Sequence, residues 1–370
     1  MGTIGSVSAL LLLDRVNLVS MISLLEAFLV LYCAFAFFWA RSKNIPTIIA
    51  IQITIVLYFG LSLLYAVVYR GANILDFLMI YKSFFYLFLL TFLANKKLME
   101  GKHILTFYNV LLAVFFFKYL AVVAFGITAR PVVYDENNFE LTLLYALYIV
   151  RYSITKDKYL PFLVLVGIIT IISLSRSSLV MYAVLAMYVF YDSFKKTWVF
   201  ILPVAMAVMA FGIYYIFSER SSSLEEIDRY RFMLLFLDEV KDWSVLQWFV
   251  GAERITPLSY TTCGLMSTWT TLFSYSGDGT CYSVILHSFL FRVILDHGII
   301  GLIFIIYAVN QLLIKSGVEK LHALVFIAIV VLNGLSVSSF NNLFFAISMV
   351  FLMTTTRNKI KKSPLALSVN

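Results

Sequence analysis

Residues 45–69 read IPTIIAIQITIVLYFGLSLLYAVVY, a run without one charged side chain. At about 1.5 Å of rise per residue, a helix of this length crosses the roughly 30 Å hydrocarbon core of a bilayer. The run is continuous, whereas a membrane β-strand alternates over segments of about ten residues. In lipid a segment must satisfy its own backbone polar groups, so this one is read as a helix. Runs of the same character extend outward from it at 18–40, 74–95, 104–126, 139–154, 159–174, 178–192, 197–218, 286–313, 322–337 and 341–356. The expected fold class is all-α: a polytopic integral membrane protein with about eleven transmembrane helices. Residues 3–13 are apolar but too short to span alone, and completing a hairpin with the next span would make a twelfth helix. The apolar run at the N-terminus has no basic leader, so no cleavable signal peptide is expected.

Composition agrees. Hydrophobic residues make up 62% of the 370 and charged residues 13%, against about 45–50% and 25% in soluble domains. The net charge of +8 does not read as a nucleic-acid footprint. Most lysines sit in short clusters between apolar runs: Lys43; Lys96, Lys97 and Lys102; Lys156 and Lys158; Lys195 and Lys196; Lys315 and Lys320; Lys359, Lys361 and Lys362. Lysine clusters of this kind mark cytoplasmic loops. Placing each of them inside gives a consistent zigzag. Arg70, Arg130–Asn138 and Ser175–Ser178 fall outside, and the tail from Arg357 falls inside.

That zigzag leaves residues 219–285 as one large outer loop, between N-terminal spans (1–218) and C-terminal spans with a cytoplasmic tail (286–370). The loop carries too many charges for lipid. It also holds Trp243, Trp248 and Trp269, aromatic residues suited to an interface. A helix with a mixed apolar face is expected over Asp228–Val240. Cys263 and Cys281 share this loop. In an oxidising compartment a disulfide between them would pin the segment feeding the next span, but spacing alone leaves open whether they bond. Cys33 lies within a span and reads as packing. No zinc-ligand spacing, phosphate-binding Gly-Lys loop or dinucleotide fingerprint occurs, so neither a cofactor nor a metal is expected.

Arginine is distributed differently from lysine. Arg15, Arg70, Arg130, Arg176, Arg220, Arg229, Arg231, Arg254 and Arg292 lie outside or within spans. Lys82, Lys118 and Glu26 fall in the outer halves of theirs. Ionisable groups at membrane depth are costly and mark function, and arginine suits bidentate recognition of phosphate. The set points to an anionic substrate at the outer boundary. Snorkelling, or pairing with Glu225, Glu226, Asp228 and Asp238, is the bland alternative.

Residues 287–301 read HSFLFRVILDHGIIG. On a helix, His287, Ile294, Gly298 and Gly301 fall within about 40° of one line. The glycines would admit a neighbouring helix beside His287. Arg292 and Asp296 are spaced to pair, and His287 could act as a general base or donor. An interfacial histidine without chemistry is the competing reading. His297 looks like a bystander, and His103 and His322 look like inner-surface residues.

These residues carry a resemblance. His287-Ser288 followed by Gly298 and Gly301 is similar to a signature of the O-antigen ligases and O-antigen polymerases. Asp135-Glu136-Asn137-Asn138 resembles an outer-loop motif of the same proteins, and Ser175-Arg176-Ser177-Ser178 their Ser-Arg-Ser-Gly-type turn. Arg229 or Arg231, followed by Gly251, resembles the arginine and glycine of their large periplasmic loop. Gly251-Ala252-Glu253 departs from the usual Gly-x-Gly, Ser178 stands in place of glycine and Ser288 in place of asparagine.

The resemblance implies a C-type glycosyltransferase (GT-C-like) fold in the bacterial inner membrane. It implies glycosyl transfer at the periplasmic face from an undecaprenyl-diphosphate-linked oligosaccharide, among membrane lipid, with a chain-length regulator protein as a partner and no nucleic acid. Arg176, Arg229, Arg231 and Arg254 would bind the diphosphate. His287 would orient or deprotonate the acceptor hydroxyl with Arg292 assisting, and Asn137, Asn138 and Asp296 would support the site. The compact chain and its Phe- and Tyr-rich, glycine-poor spans favour a polymerase over a ligase. A lipid-linked oligosaccharide flippase or other transporter is the reading from another class. The single large loop and the absence of repeated halves weigh against it, and a structural or sensor protein would leave the outer arginines unexplained.

Overall fold

The computed structural model describes residues 18–39, 45–128, 130–134, 136–156, 160–191 and 228–356, and all its regular elements are helical. Every expected span within those residues coincides with a helix or a bent helix pair. The expected span 197–218, the segment 3–13, Arg15, Arg220, Glu225 and Glu226 lie outside the described residues, as does Asp135.

In chain order the helices are α1 (Leu18–Trp39), α2 (Pro46–Leu63), α3 (Ile74–Ile80), α4 (Lys82–Thr91), α5 (Gly101–Ala124), α6 (Asn137–Thr155), α7 (Leu160–Ile172) and α8 (Arg176–Phe190). Residues 228–286 form α9 (Asp228–Val240), α10 (Val245–Val250) and α11 (Tyr260–Leu265). The chain then enters α12 (Phe289–Lys315), α13 (Lys320–Gly334) and α14 (Leu343–Thr354). Four helical stretches are long and apolar enough to cross a membrane: Ile22–Trp39, Pro46–Tyr69, Gly101–Ala124 and Phe289–Lys315. The pair α3 and α4 makes a fifth if counted as one span, bent by 67°. Helices α7, α8, α13 and α14 are apolar but shorter. Two of them open at capped turns. Ser175 opens α8 by accepting from Ser178 N–H, and Asn342 opens α14 by accepting from Phe344 N–H.

Helix α6 is the centre of the bundle. It carries Glu140 and Arg151 and is buried along nearly its whole length, packed by α5, α8, α13 and α14. Its first turn is held by Glu140, whose carboxylate accepts from Val133 N–H at 2.8 Å and from Tyr134 N–H. The outward faces of the peripheral helices are apolar and exposed: Leu31, Phe35 and Phe38 on α1, Ile53, Leu57 and Leu61 on α2, Phe117 on α5, Ile300 and Ile303 on α12. Such a belt marks a lipid-embedded body. Internal partners account for the charges Lys82, Glu26 and Lys118 within the helices. Lys82 Nζ lies 2.5 Å from Glu26, which also accepts from Tyr86 Oη at 2.5 Å, and Lys118 donates to the Val133 carbonyl.

Residues 228–286 form a cap with a second apolar cluster, which also takes in Leu295 of α12. Phe232, Leu235, Phe236 and Val240 of α9 pack with Leu258, Met266, Ile285 and Leu286, apart from the main core of the bundle. Cys263 and Cys281 are joined by a disulfide inside it, with Cα atoms 5.7 Å apart, while Cys33 is a free, buried thiol. This cap is fastened to the bundle by Asp76 of α3, which accepts from Ser274 Oγ at 2.6 Å and from Tyr275 N–H at 3.1 Å.

Candidate functional site at the break in helix α12

Helix α12 is interrupted at Gly298, where φ is +68° and ψ is −176°. The interruption admits the cap. Gly251, itself at φ +83°, comes so close that a Cβ on it would lie 2.7 Å from His297 N. A Cβ on Gly298 would lie 2.2 Å from the Phe249 carbonyl oxygen. Ala252 N–H donates to the Leu295 carbonyl at 2.7 Å, taking up an acceptor that the break leaves free. Gly298 therefore does admit a neighbouring helix, the last turn of α10 with its C-cap Gly251, but beside His297 rather than beside His287. A Cβ on Gly301 would meet His297 of its own helix.

Two side chains flank the break. Asp296, 8% exposed, accepts from Ser283 Oγ at 2.5 Å on the cap side. His297, 3% exposed, turns inward, with Nδ1 hydrogen-bonded to the Tyr58 hydroxyl at 2.8 Å and its ring edge-on to Tyr81 and Phe84. His297, read as a bystander, is thus buried in an aromatic cage beside the break. His322, read as a surface residue, is also buried, with Tyr152 and Tyr188 against its ring, whereas His103 is exposed.

Arg254 reaches the same place from the loop. Its Nη1 donates to the Asp296 carbonyl at 3.2 Å, and its guanidinium lies 4.9 Å from the centre of the Tyr58 ring. The loop is steadied by Glu253, which accepts from Arg70 Nη1 at 3.2 Å and from the Tyr65 hydroxyl. Tyr65 is carried by the π-helical turn Leu64–Tyr69 that continues α2. Arg254, Tyr58, His297, Phe84, Ile300 and Phe304 border a crevice of about 190 Å³. Thr54 and Ile300 on its rim are exposed on the outside of the bundle, so it opens sideways between α2 and α12.

His287 lies before α12 rather than on it, at φ +54° and ψ −40°. Its ring is half-buried between Phe232 of α9 (5.3 Å) and Trp269 (4.9 Å). Ser338 Oγ donates to its carbonyl at 2.9 Å and accepts from Arg292 Nη1 at 2.5 Å. Arg292, 4% exposed, also donates to the Met79 carbonyl. Arg292 and Asp296 thus make their hydrogen bonds to other groups rather than to each other.

The remaining sequence candidates fall into two further places. Asn138 and the Ser175–Ser178 turn, read as separate motifs, meet. Asn138 Oδ1 accepts from the hydroxyls of Ser175, Ser177 and Ser178, and Asn137 Nδ2 donates to the Ser173 carbonyl at 2.9 Å. This knot sets the start of α8, where Arg176 stands half-buried. It continues through Asn333, whose amide donates to the Asn138 carbonyl at 3.2 Å, toward Val337, whose carbonyl accepts from Phe289 N–H at 3.3 Å. Arg229 and Arg231 sit on α9. Arg231 is exposed and donates to the Leu265 carbonyl at 2.7 Å, and Arg229 is half-buried. Near the cap's base, burial raises the Tyr282 hydroxyl above its usual range, with Asp76 adding to the shift.

No family model, curated protein or solved structure matches the chain.

Proposed function

We propose that the chain is an O-antigen (surface polysaccharide) polymerase of the bacterial inner membrane. On this reading it has about eleven spans in a GT-C-like arrangement, a cytoplasmic C-terminus and the cap on the periplasmic side. It joins repeat units carried on undecaprenyl diphosphate. The observation that carries the reading is Arg254, a guanidinium held by the cap on the lining of an apolar crevice that opens on the side of the bundle. A prenyl chain in the crevice would bring its diphosphate to a fork-shaped donor, the group best fitted to phosphate oxygens.

In the transfer, an acceptor hydroxyl oxygen attacks the anomeric carbon of the donor chain. The bond from that carbon to the diphosphate oxygen breaks, and the lipid diphosphate leaves with the electron pair. Arg254 stabilises the charge gathering on it. His287, held between Phe232 and Trp269, takes the acceptor's proton.

A deletion strain tests this on a lipopolysaccharide gel. Loss of the ladder with a single core-plus-one-unit band retained is the polymerase result. Loss of every O-unit band, with long glycan accumulating on the lipid carrier, would make the chain a ligase. An unchanged ladder would overturn both and leave a flippase or other transporter.

A further inference from the structure

Helix α10 turns its apolar side outward. Val245, Leu246, Phe249 and Val250 are all exposed, the first two at 75% and 68%. At about 100° per residue they share an arc of roughly 140° on the helix. Trp248 lies on the other side, against Phe236 and Trp243. No charged residue occurs between Asp242 and Glu253. The helix also closes its own ends. Gln247 N–H donates to Ser244 Oγ at 3.4 Å, and the Gln247 side chain accepts from Ser244 N–H at 2.8 Å. Gly251 N–H donates to the Gln247 carbonyl at 2.7 Å. Backbone groups satisfied from within are what an apolar solvent demands.

Two internal rulers give the depth of this helix. Its last turn is held at Gly298, where the Phe249 carbonyl meets the break. Gly298 stands 17 residues from Lys315 at the far end of α12 (315 − 298), about 25 Å at roughly 1.5 Å per residue. Tyr58, bonded to the neighbouring His297, stands 12 residues from Pro46 at the start of α2 (58 − 46), about 18 Å on the same rise. Both heights fall short of the roughly 30 Å hydrocarbon core. Val250 also borders the crevice with Ile300 and Phe304. The outward face of α10 is thus continuous with the apolar belt of α2 and α12.

We infer that α10 is an interfacial helix seated in the bilayer, its face of Val245, Leu246, Phe249 and Val250 covered by lipid acyl chains. Its half-buried neighbours Trp243 and Trp248 suit the headgroup boundary. Seated there, α10 anchors the cap to the membrane at the mouth of the crevice. This anchoring is independent of what Arg254 binds. The test is a nitroxide spin label on Val245→Cys and on Leu246→Cys, in the full chain reconstituted into phosphatidylethanolamine–phosphatidylglycerol vesicles. Power saturation reads collisions with oxygen, which concentrates in lipid, and with a water-soluble nickel chelate. Ile303→Cys on the belt and Ser276→Cys in the polar turn of the cap are the references. All four positions are exposed, so the substitutions leave the packing intact. Both α10 sites should follow Ile303, with an oxygen-to-nickel ratio several-fold above that at Ser276. Either α10 site matching Ser276 would overturn the inference, since the face would then stand in water. Low collision rates with both reagents would overturn it too, because the face would then be covered by protein, a second copy of the chain or another. An equal ratio at Ile303 and Ser276 would overturn the lipid belt itself and the anchoring with it.

Discussion

Gly298 and Gly251 face each other backbone to backbone, and neither tolerates a side chain. Gly298→Ala forces a Cβ to within 2.2 Å of the Phe249 carbonyl oxygen and places alanine where only glycine is comfortable, about 1–3 kcal/mol for the backbone alone. The variant should melt well below wild type in detergent. Gly60→Ala, with nothing within 4 Å of its Cβ, should be neutral or gain about 0.5–1 kcal/mol in the same assay. Equal melting of the two variants would show that the break is not a tight joint. Arg254→Ala should cut unit-to-unit transfer in isolated membranes on the order of 100-fold, and Arg254→Lys should not rescue it, since a point charge lacks the fork. Rescue by lysine would mean that only positive charge is needed there. Sequence reading reached Arg254 through its position in an outer loop. It could not see the buried setting of His297, because the partner that holds that histidine, Tyr58, is 239 positions away. His287 was picked out by its spacing to two glycines, but its setting between Phe232 and Trp269 depends on how the cap folds.

Among the elements, the cap behaves as a separate unit. Its apolar residues form their own cluster, and its disulfide closes a loop of 18 residues. Cys263→Ser should cost about 3 kcal/mol and act on the cap first. Limited proteolysis of membranes should then cut within 228–285 while the bundle remains intact. A whole chain that disappears would mean the cap and bundle fold as one. Asp76→Ala, which removes the acceptor for Ser274 and Tyr275, should loosen the same segment without breaking the disulfide. The bundle helices were legible from continuous apolar runs, and the cap helix Asp228–Val240 from its mixed apolar face. The sharp bend between α3 and α4 and the interruption of α12 were not. Apolar periodicity runs straight through both, and the causes are tertiary: a loop backbone entering at Gly298, and Asp76 and Met79 near the bend serving the cap and Arg292.

For the whole molecule, the zigzag of lysine clusters makes a prediction about sidedness. The one free thiol among the described residues, Cys33, is buried, so single-cysteine labelling starts from a low background. Ser276→Cys in the cap should react with a membrane-impermeant maleimide in intact cells. His103→Cys, at an exposed position opening α5, should react only after permeabilisation. The reverse pattern would invert the topology. The break in α12 also carries a consequence for biogenesis. The joint pairs Gly251 with Gly298, 47 residues further along the chain (298 − 251), so it can close only once α12 itself has been made. Cap and helix are therefore locked together late, and until then α12 is free to run as an unbroken helix.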